Sequence, residues 1–380
     1  MEDGLVMAVS RAGAILGVDI DVFLIDYEQR RLVRLDGAGD VVVHDVDTTV
    51  AGQAFRHVAQ TPETVDGAPR LWVPLLDGLE RLGVLCVRGL EGVDVLDGPL
   101  QEELGWLAAC FGHIVASKQI YADTVERTRR SRPMSVAAEL LWNLLPPLTF
   151  GVEGLTISAI LEPCYDVGGD CFDYGVAGDR VRFALFDSMG HSLPAGMLSA
   201  AALAAYRSCY RAGHDLERTV RAIDETLLEQ FAGDRFATAF MGELDLRSGA
   251  LRYVLAGHPA PLLLRGGRVV ESLDGGLRVP LGVQAPHVPP ARAQLRSGDR
   301  LLLYTDGVTE ARDGSGGRFG LDRLLELVES PTLTEQRAPE MLRQLGGAVV
   351  DHLAGRFEDD ATLLLVEWRT GEEHHLTPMS

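Results

Sequence analysis

The chain has 380 residues, 46% of them apolar and 24% charged, enough for two or three domains with a sizeable core. Lys and Arg total 35 against 55 Asp and Glu, and a net charge of −20 argues against nucleic acid, which needs a basic face. No run approaches the ~18 consecutive apolar residues of a bilayer span, and Glu2 and Asp3 stand where a secretory signal carries positive charge, so no membrane role is expected and the cytoplasm is the predicted location.

In chain order, Leu5–Leu16 has helical apolar spacing, and Asp21–Tyr27 with Arg31–Leu35 reads as a hairpin. Ala51–Ala59 fits a short helix. Arg70–Leu75 and Arg81–Val87 are strand-like runs around the turn Leu76–Glu80, and Leu100–Tyr121 returns to helical periodicity. The stretches AGQAFRHVAQT and RLWVPLLDGLERLGVLCVR resemble a GAF domain, a family of small sensory and dimerisation modules. The resemblance covers residues 1–118 and implies an unidentified sensory ligand and a homodimer.

Residues 119–148 read as a helical linker. Ile120–Arg130 is polar, Ser135 suits the cap of a helix over Val136–Leu145, and Pro146-Pro147 stops it. From Leu155 the pattern becomes strands and Gly-rich turns, broken by one helical block. That block starts with Ser192 as its N-cap and Pro194 in the first turn, runs to Gly213, and continues as a second helix over Leu216–Phe231. Strands are predicted at Ala237–Asp245, Ala250–Ala256, Ala260–Arg265, Ala291–Leu295, Arg300–Tyr304 and Thr362–Trp368. The fold class is therefore α+β, mostly antiparallel with inserted helices. The proline-rich loop Val283–Gly298 is assigned to a cleft border, and residues 369–380 to a disordered tail.

Cys86, Cys110, Cys164, Cys171 and Cys209 are odd in number and form no CxxC pair, which argues against a disulfide framework or a zinc knuckle. Buried reduced thiols are expected.

Carboxylates carry the chemistry. Asp170 follows Val167-Gly168-Gly169, and Asp187 ends the apolar run from Val181. Asp306 follows Leu301–Tyr304 closely and precedes Gly307, while Asp359 and Asp360 precede the apolar run from Ala361. Taken singly, Asp-Gly and Gly-Gly-Asp are common turns. Four such sites beside strand ends suggest convergence, and converging carboxylates repel unless a cation joins them. Hard oxygen donors without a Cys or His cluster favour Mg²⁺ or Mn²⁺. Two such ions bind a phosphate ester and activate water.

The ordered motifs VGGDCFDYG, FDSMGHSLPAGMLSA, FATAFMGELDLRSGALRYVLAGHPAPLLL, PLGV, GDRLLLYTDGVTEARD and DDATLLLVE resemble the SpoIIE-like branch of the PPM metal-dependent protein phosphatases, from about Leu144 to Trp368. The resemblance implies an α-β-β-α sandwich over 149–368 with two Mn²⁺ or Mg²⁺ ions. It assigns Asp170, Asp187, Asp306 and Asp359 as metal-binding catalytic carboxylates, the Ser188 carbonyl as a further ligand, and Asp360 to a supporting place behind them. It implies a protein serine/threonine phosphatase acting on a phosphorylated STAS-domain protein, an anti-anti-sigma factor, in partner-switching control of transcription. Cys171 departs from the usual aromatic, and Ser188 and Ser192 stand where the family often has small residues or glycine. His191 and His258 invite an acid role, with a structural role favoured for His258. A non-catalytic binding module and a hydrolase of small phosphoesters remain as alternatives.

Overall fold

The computed structural model describes residues 4–35, 42–90, 92–119, 123–190, 192–231, 235–284, 286, 288–353, 357 and 359–371. The chain divides into two compact units, one up to Pro133 and one from Met134.

The first unit runs α1 (Gly4–Leu16), β1 (Val18–Ile25), β2 (Arg31–Arg34), β3 (Val43–Asp45), α2 (Val50–His57), β4 (Thr61–Val65), β5 (Ala68–Asp77), β6 (Glu80–Gly89), α3 (Gly98–Gln119) and α4 (Asp123–Arg129). Its strands form an antiparallel sheet in the order β3-β2-β1-β6-β5-β4. Alternation along β1 decides the two faces. Val18, Ile20, Val22 and Leu24 join the core with α1 and α3, whereas Phe23 and Ile25 pack with Ala51, Ala54 and Phe55 of α2. Thr49 caps α2 by accepting from Gly52 N at 3.1 Å, a cap the sequence reading did not name. The polar stretch read as linker begins as α4, and α4 is docked on this unit. Val125 is buried, Arg129 Nε donates to the Ile25 carbonyl at 3.1 Å, and the Tyr27 hydroxyl donates to Glu126 at 2.9 Å.

The second unit runs α5 (Val136–Trp142), β7 (Thr149–Val152), β8 (Leu155–Glu162), β9 (Asp170–Ala177), β10 (Arg180–Ser188), α6 (Leu193–Arg211), α7 (Leu216–Phe231), β11 (Ala237–Asp245), β12 (Ala250–Ala256), β13 (Leu262–Arg265) and β14 (Arg268–Ser272). It continues through β15 (Leu277–Arg278), β16 (Ala291–Gln294), β17 (Arg300–Tyr304), α8 (Asp306–Thr309), α9 (Gly320–Val328), α10 (Pro331–Thr334), α11 (Ala338–His352) and β18 (Ala361–Trp368). One sheet has the order β15-β12-β11-β10-β9 with β16 beside β12, and the other the order β14-β13-β17-β18-β8-β7. Every pairing is antiparallel except β12 with β15.

Residue alternation sets the layers. Leu364 and Val366 of β18 face the core shared with Phe183, Phe240 and α6, while Leu363 and Leu365 face Met341, Leu345 and Val349 of α11. A strand covered on both faces reads as a continuous apolar run, as LLLV does here. The result is an α-β-β-α sandwich, with α6 and α7 outside one sheet and α11 outside the other.

Three expectations change. The sequence names a single helical block, but α9 to α11 make a second one. Helix α11 holds Gly346, where a Cβ would come within 3.0 Å of Ile160, so the glycine lets the helix approach β8 closely. Ser192 is not a side-chain cap: it sits at φ 87° and makes no side-chain cap bond. Only its carbonyl serves the helix start, accepting from Ala195 N and Gly196 N at 3.1 Å each. Finally, α5 is core rather than linker, since Ala138 and Leu141 are fully buried in the second unit. Among the described residues no helix is long and apolar enough to cross a membrane. His191 and the residues from 372 onward lie outside the described residues.

Candidate active site

Strand pairing places the first two carboxylates side by side. Asp170 opens β9 and lies directly opposite Asp187 near the end of β10. The other sheet supplies the rest: β17 leads through Thr305 to Asp306, and Asp359 and Asp360 precede β18. Two hydroxyls join the sheets. Thr305 Oγ1 and Thr362 Oγ1 both donate to Asp170 Oδ2, at 2.8 and 2.5 Å. Burial then grades outward, from fully buried Asp170 through half-buried Asp187 to exposed Asp306 and Asp359.

Asp360 shapes the loop before Asp170. Its Oδ2 accepts from the backbone N–H of Gly168, Gly169 and Asp170 at 2.8, 2.6 and 3.1 Å. Three successive N–H groups around one oxygen make an anion nest. The glycines permit this turn: a Cβ on Gly169 would come within 2.7 Å of the Ser188 carbonyl oxygen. Gly307 is tighter, because a Cβ there would lie 1.9 Å from the Asp360 carbonyl oxygen. The Ser188 hydroxyl is buried against Ser199 Oγ of α6 at 2.6 Å, and Ser199 also bonds the Gly169 carbonyl. The serine at 188 therefore fastens this loop to α6.

The electrostatics are those of crowded carboxylates. Burial, then Asp306, Asp359 and Asp360, push the Asp187 carboxyl up to about 7, against a single weak donor, Thr238. Burial, then Asp187 and Asp360, hold Asp170 well above the usual carboxylate range despite its two threonine donors. Burial, then Asp359 and Glu310, raise Asp306. Among the described residues Asp170, Asp187 and Asp306 make no ion pair. Among the described residues no group of three or more His, Cys, Asp or Glu side chains is arranged to hold a metal ion. The donor chemistry nonetheless fits divalent cations: hard oxygens alone, crowded enough to resist ionisation, with no protein cation beside the three unpaired ones.

The sequence reading did not foresee Thr305, Thr362, Thr238 or Ser199 at the site, although each lies in or next to a motif it quoted. Cys171 is fully buried, and burial pushes its thiol up, which removes the basis for a reactive thiolate there. Four of the five thiols are buried and Cys110 is exposed, a departure from the all-buried expectation.

A two-sheet sandwich with acidic residues gathered at strand ends from both sheets defines an α-β-β-α protein with an acidic site. The model of the family described as Stage II sporulation protein E (SpoIIE) matches residues 177–369, and the chain belongs to that family. Asp187, Ser188, Asp306 and Asp359 fall inside the matched residues, and Asp170 just before them. Protein IcfG of Synechocystis sp. is 24% identical over 333 residues, 77% of this chain and 51% of IcfG. Phosphoserine phosphatase RsbU of Bacillus subtilis is 23% identical over 235 residues, 61% of this chain and 69% of RsbU. The chain thus spans about half the length of IcfG. Among solved structures, the RsbU and RsbW domains of Rv1364c from Mycobacterium tuberculosis match at 28% identity and a TM-score of 0.48, covering 57% of this chain and 62% of that one. The SiaA-PP2C domain of Pseudomonas aeruginosa matches at 21% identity and a TM-score of 0.49, covering 56% and 85%.

Proposed function

We propose that this chain is a divalent-cation-dependent phosphatase that removes phosphate from serine or threonine of a partner protein. The observation that carries it is the convergence of four aspartates at strand ends: Asp170 lies opposite Asp187 across β9 and β10, and Asp306 and Asp359 stand beside β17 and β18 close enough to raise the Asp187 carboxyl. Asp170, Asp187, Asp306, Asp359 and the Ser188 carbonyl would hold two Mn²⁺ or Mg²⁺ ions. Bound there, the ions supply Lewis-acid charge for the phosphoryl oxygens and activation of water. Water's oxygen bonds to phosphorus, the bond from phosphorus to the serine or threonine oxygen breaks, and that oxygen leaves as a hydroxyl.

The chain's own residues do the arranging. Thr305 and Thr362 fix one oxygen of Asp170, and Asp360 holds the Gly168–Asp170 loop. Asp306 and Asp359, being exposed, face the side from which substrate arrives. Family membership and the relative that is a phosphoserine phosphatase support a phosphorylated STAS-domain protein as substrate, in partner switching that controls a sigma factor. The first unit serves in this reading as a GAF-like sensor and dimerisation module, consistent with its antiparallel sheet between helical layers. Exposed Trp106 and Ile114 on α3 suit a homodimer contact.

Hydrolysis of p-nitrophenyl phosphate against added Mn²⁺ tests the reading, with Asp170→Asn and Asp306→Asn beside the wild type. Cation-dependent turnover lost in both variants is expected. Equal turnover in all three proteins, or none with any cation, would refute catalysis at this site and leave a binding module.

A further inference from the structure

Helix α3 covers one face of the first unit's sheet and turns its other side to solvent. Leu104, Ala108, Phe111 and Val115 are buried in the core that α3 shares with β1, β5 and β6. Glu103, Trp106, Cys110, Ile114 and Ser117 are exposed, and their spacing of three and four residues sets them in one stripe along the helix. Trp106 is 56% exposed and Ile114 37%. Large apolar groups lined up on an uncovered helix face mark a docking surface.

The stripe is self-complementary about Cys110. Counting outward from that residue, Trp106 and Ile114 lie four positions away, Glu103 and Ser117 seven, and Glu102 and Lys118 eight. A second α3 laid antiparallel across the first, with the two-fold axis at Cys110, therefore sets Trp106 against Ile114 of the partner subunit. The two large side chains meet on either side of the small Cys110. Glu103 meets the small Ser117 of the partner subunit, and Glu102 faces Lys118 of the partner subunit, the basic residue of the helix's last turn. A parallel pair would instead gather Glu102 and Glu103 of both chains at one end, where like charges oppose association. Charge thus selects the antiparallel arrangement.

We infer that the first unit pairs with a second copy of this chain through α3, antiparallel, with Cys110 of both chains at the two-fold axis. The inference rests on the homodimer reading above and gives it a surface and an orientation. An isologous contact of this kind uses one patch twice, so each Trp106 anchors one end of it.

The test is sedimentation of the full chain together with cross-linking by a short bismaleimide, which reads Cys110 because the other four thiols are buried. A dimer that links through Cys110 is expected, and Trp106→Ala is expected to weaken dimerisation about 30-fold or more. Orientation is read in a Cys110→Ser background. Glu103→Cys alone should not link, since antiparallel helices hold the two copies of position 103 about 21 Å apart along the axis. Glu103→Cys chains mixed with Ser117→Cys chains should link. Linking of Glu103→Cys alone, no link through Cys110, or a dimer that Trp106→Ala leaves equally tight overturns the inference while keeping the homodimer. A chain that stays monomeric at every concentration overturns the inference and the homodimer reading together.

Discussion

The two units treat their carboxylates differently. In the first, Glu63 takes Arg70 and the Trp72 indole at 2.7 and 2.6 Å, and Asp19 and Asp21 share Arg88 at 2.5 and 2.8 Å. The second unit does the same away from its site, pairing Asp173 with Arg207, Asp224 with Arg278, Glu243 with Arg182 and Asp299 with Arg265. At the strand ends, by contrast, Asp170, Asp187 and Asp306 make no ion pair among the described residues. A buried charge without a partner costs several kcal/mol. The instructive counterpart is Asp26 in the first unit, which is also buried. Its Oδ1 accepts from Arg30 N and Arg31 N at 2.8 and 3.1 Å, while its Oδ2 has no partner among the described residues. Burial pushes this lone carboxyl up to about 6, and partial protonation resolves the conflict. A cluster of aspartates is relieved better by an external cation than by protons.

The sharpest break is Asp187→Asn, which removes the charge that its neighbours oppose. Cation-dependent hydrolysis is expected to fall more than about 100-fold, beyond the range of groups that only orient ligands. Steady-state kinetics across a Mn²⁺ series checks it.

Gly307→Ala forces a methyl against the Asp360 carbonyl oxygen, 1.9 Å away. Thermal denaturation should show the second unit destabilised by about 3 kcal/mol, with hydrolysis reduced because Asp360 holds the Gly168–Asp170 loop.

Asp26→Asn probes the lone carboxylate. A folded-state value of about 6, above the ordinary 3.8, means the folded form binds the proton more tightly. The contribution of Asp26 to stability is therefore greatest below about pH 4 and is lost as pH rises through 6. The variant should match wild type near pH 4 and exceed it by about 2 kcal/mol at pH 7. A stability difference independent of pH would contradict this account of Asp26.

The smallest effect is Ser192→Gly. At φ 87° serine is strained and glycine is not, so a gain of about 1 kcal/mol is expected in denaturant unfolding.

Much of the second unit was legible because its strands are covered on both faces. The predicted bounds of β11, β12, β17 and α7 coincide with the structure, since each is an apolar or periodic run between turns. Helices α9 to α11 were missed although Met341, Leu342, Leu345 and Val349 keep helical spacing, because Gly346-Gly347 and nearby prolines mimic loop chemistry. Ser192 misled because residue type suggested a cap, while the path of the chain demands a left-handed backbone. The linker boundary misled because α5 is short, and only packing shows that Leu141 belongs to the core. At the site, motifs named the aspartates. The threonines that bridge the sheets depend on register and sheet stacking, which no single stretch of sequence encodes.

The most direct measurement is calorimetric titration of the full chain with Mn²⁺ near pH 8, wild type against Asp187→Asn. The account predicts saturable binding of two ions per wild-type chain, with protons released as the raised carboxyls ionise, and loss of that binding in the variant. No binding to the wild type, or equal binding to both proteins, would contradict it.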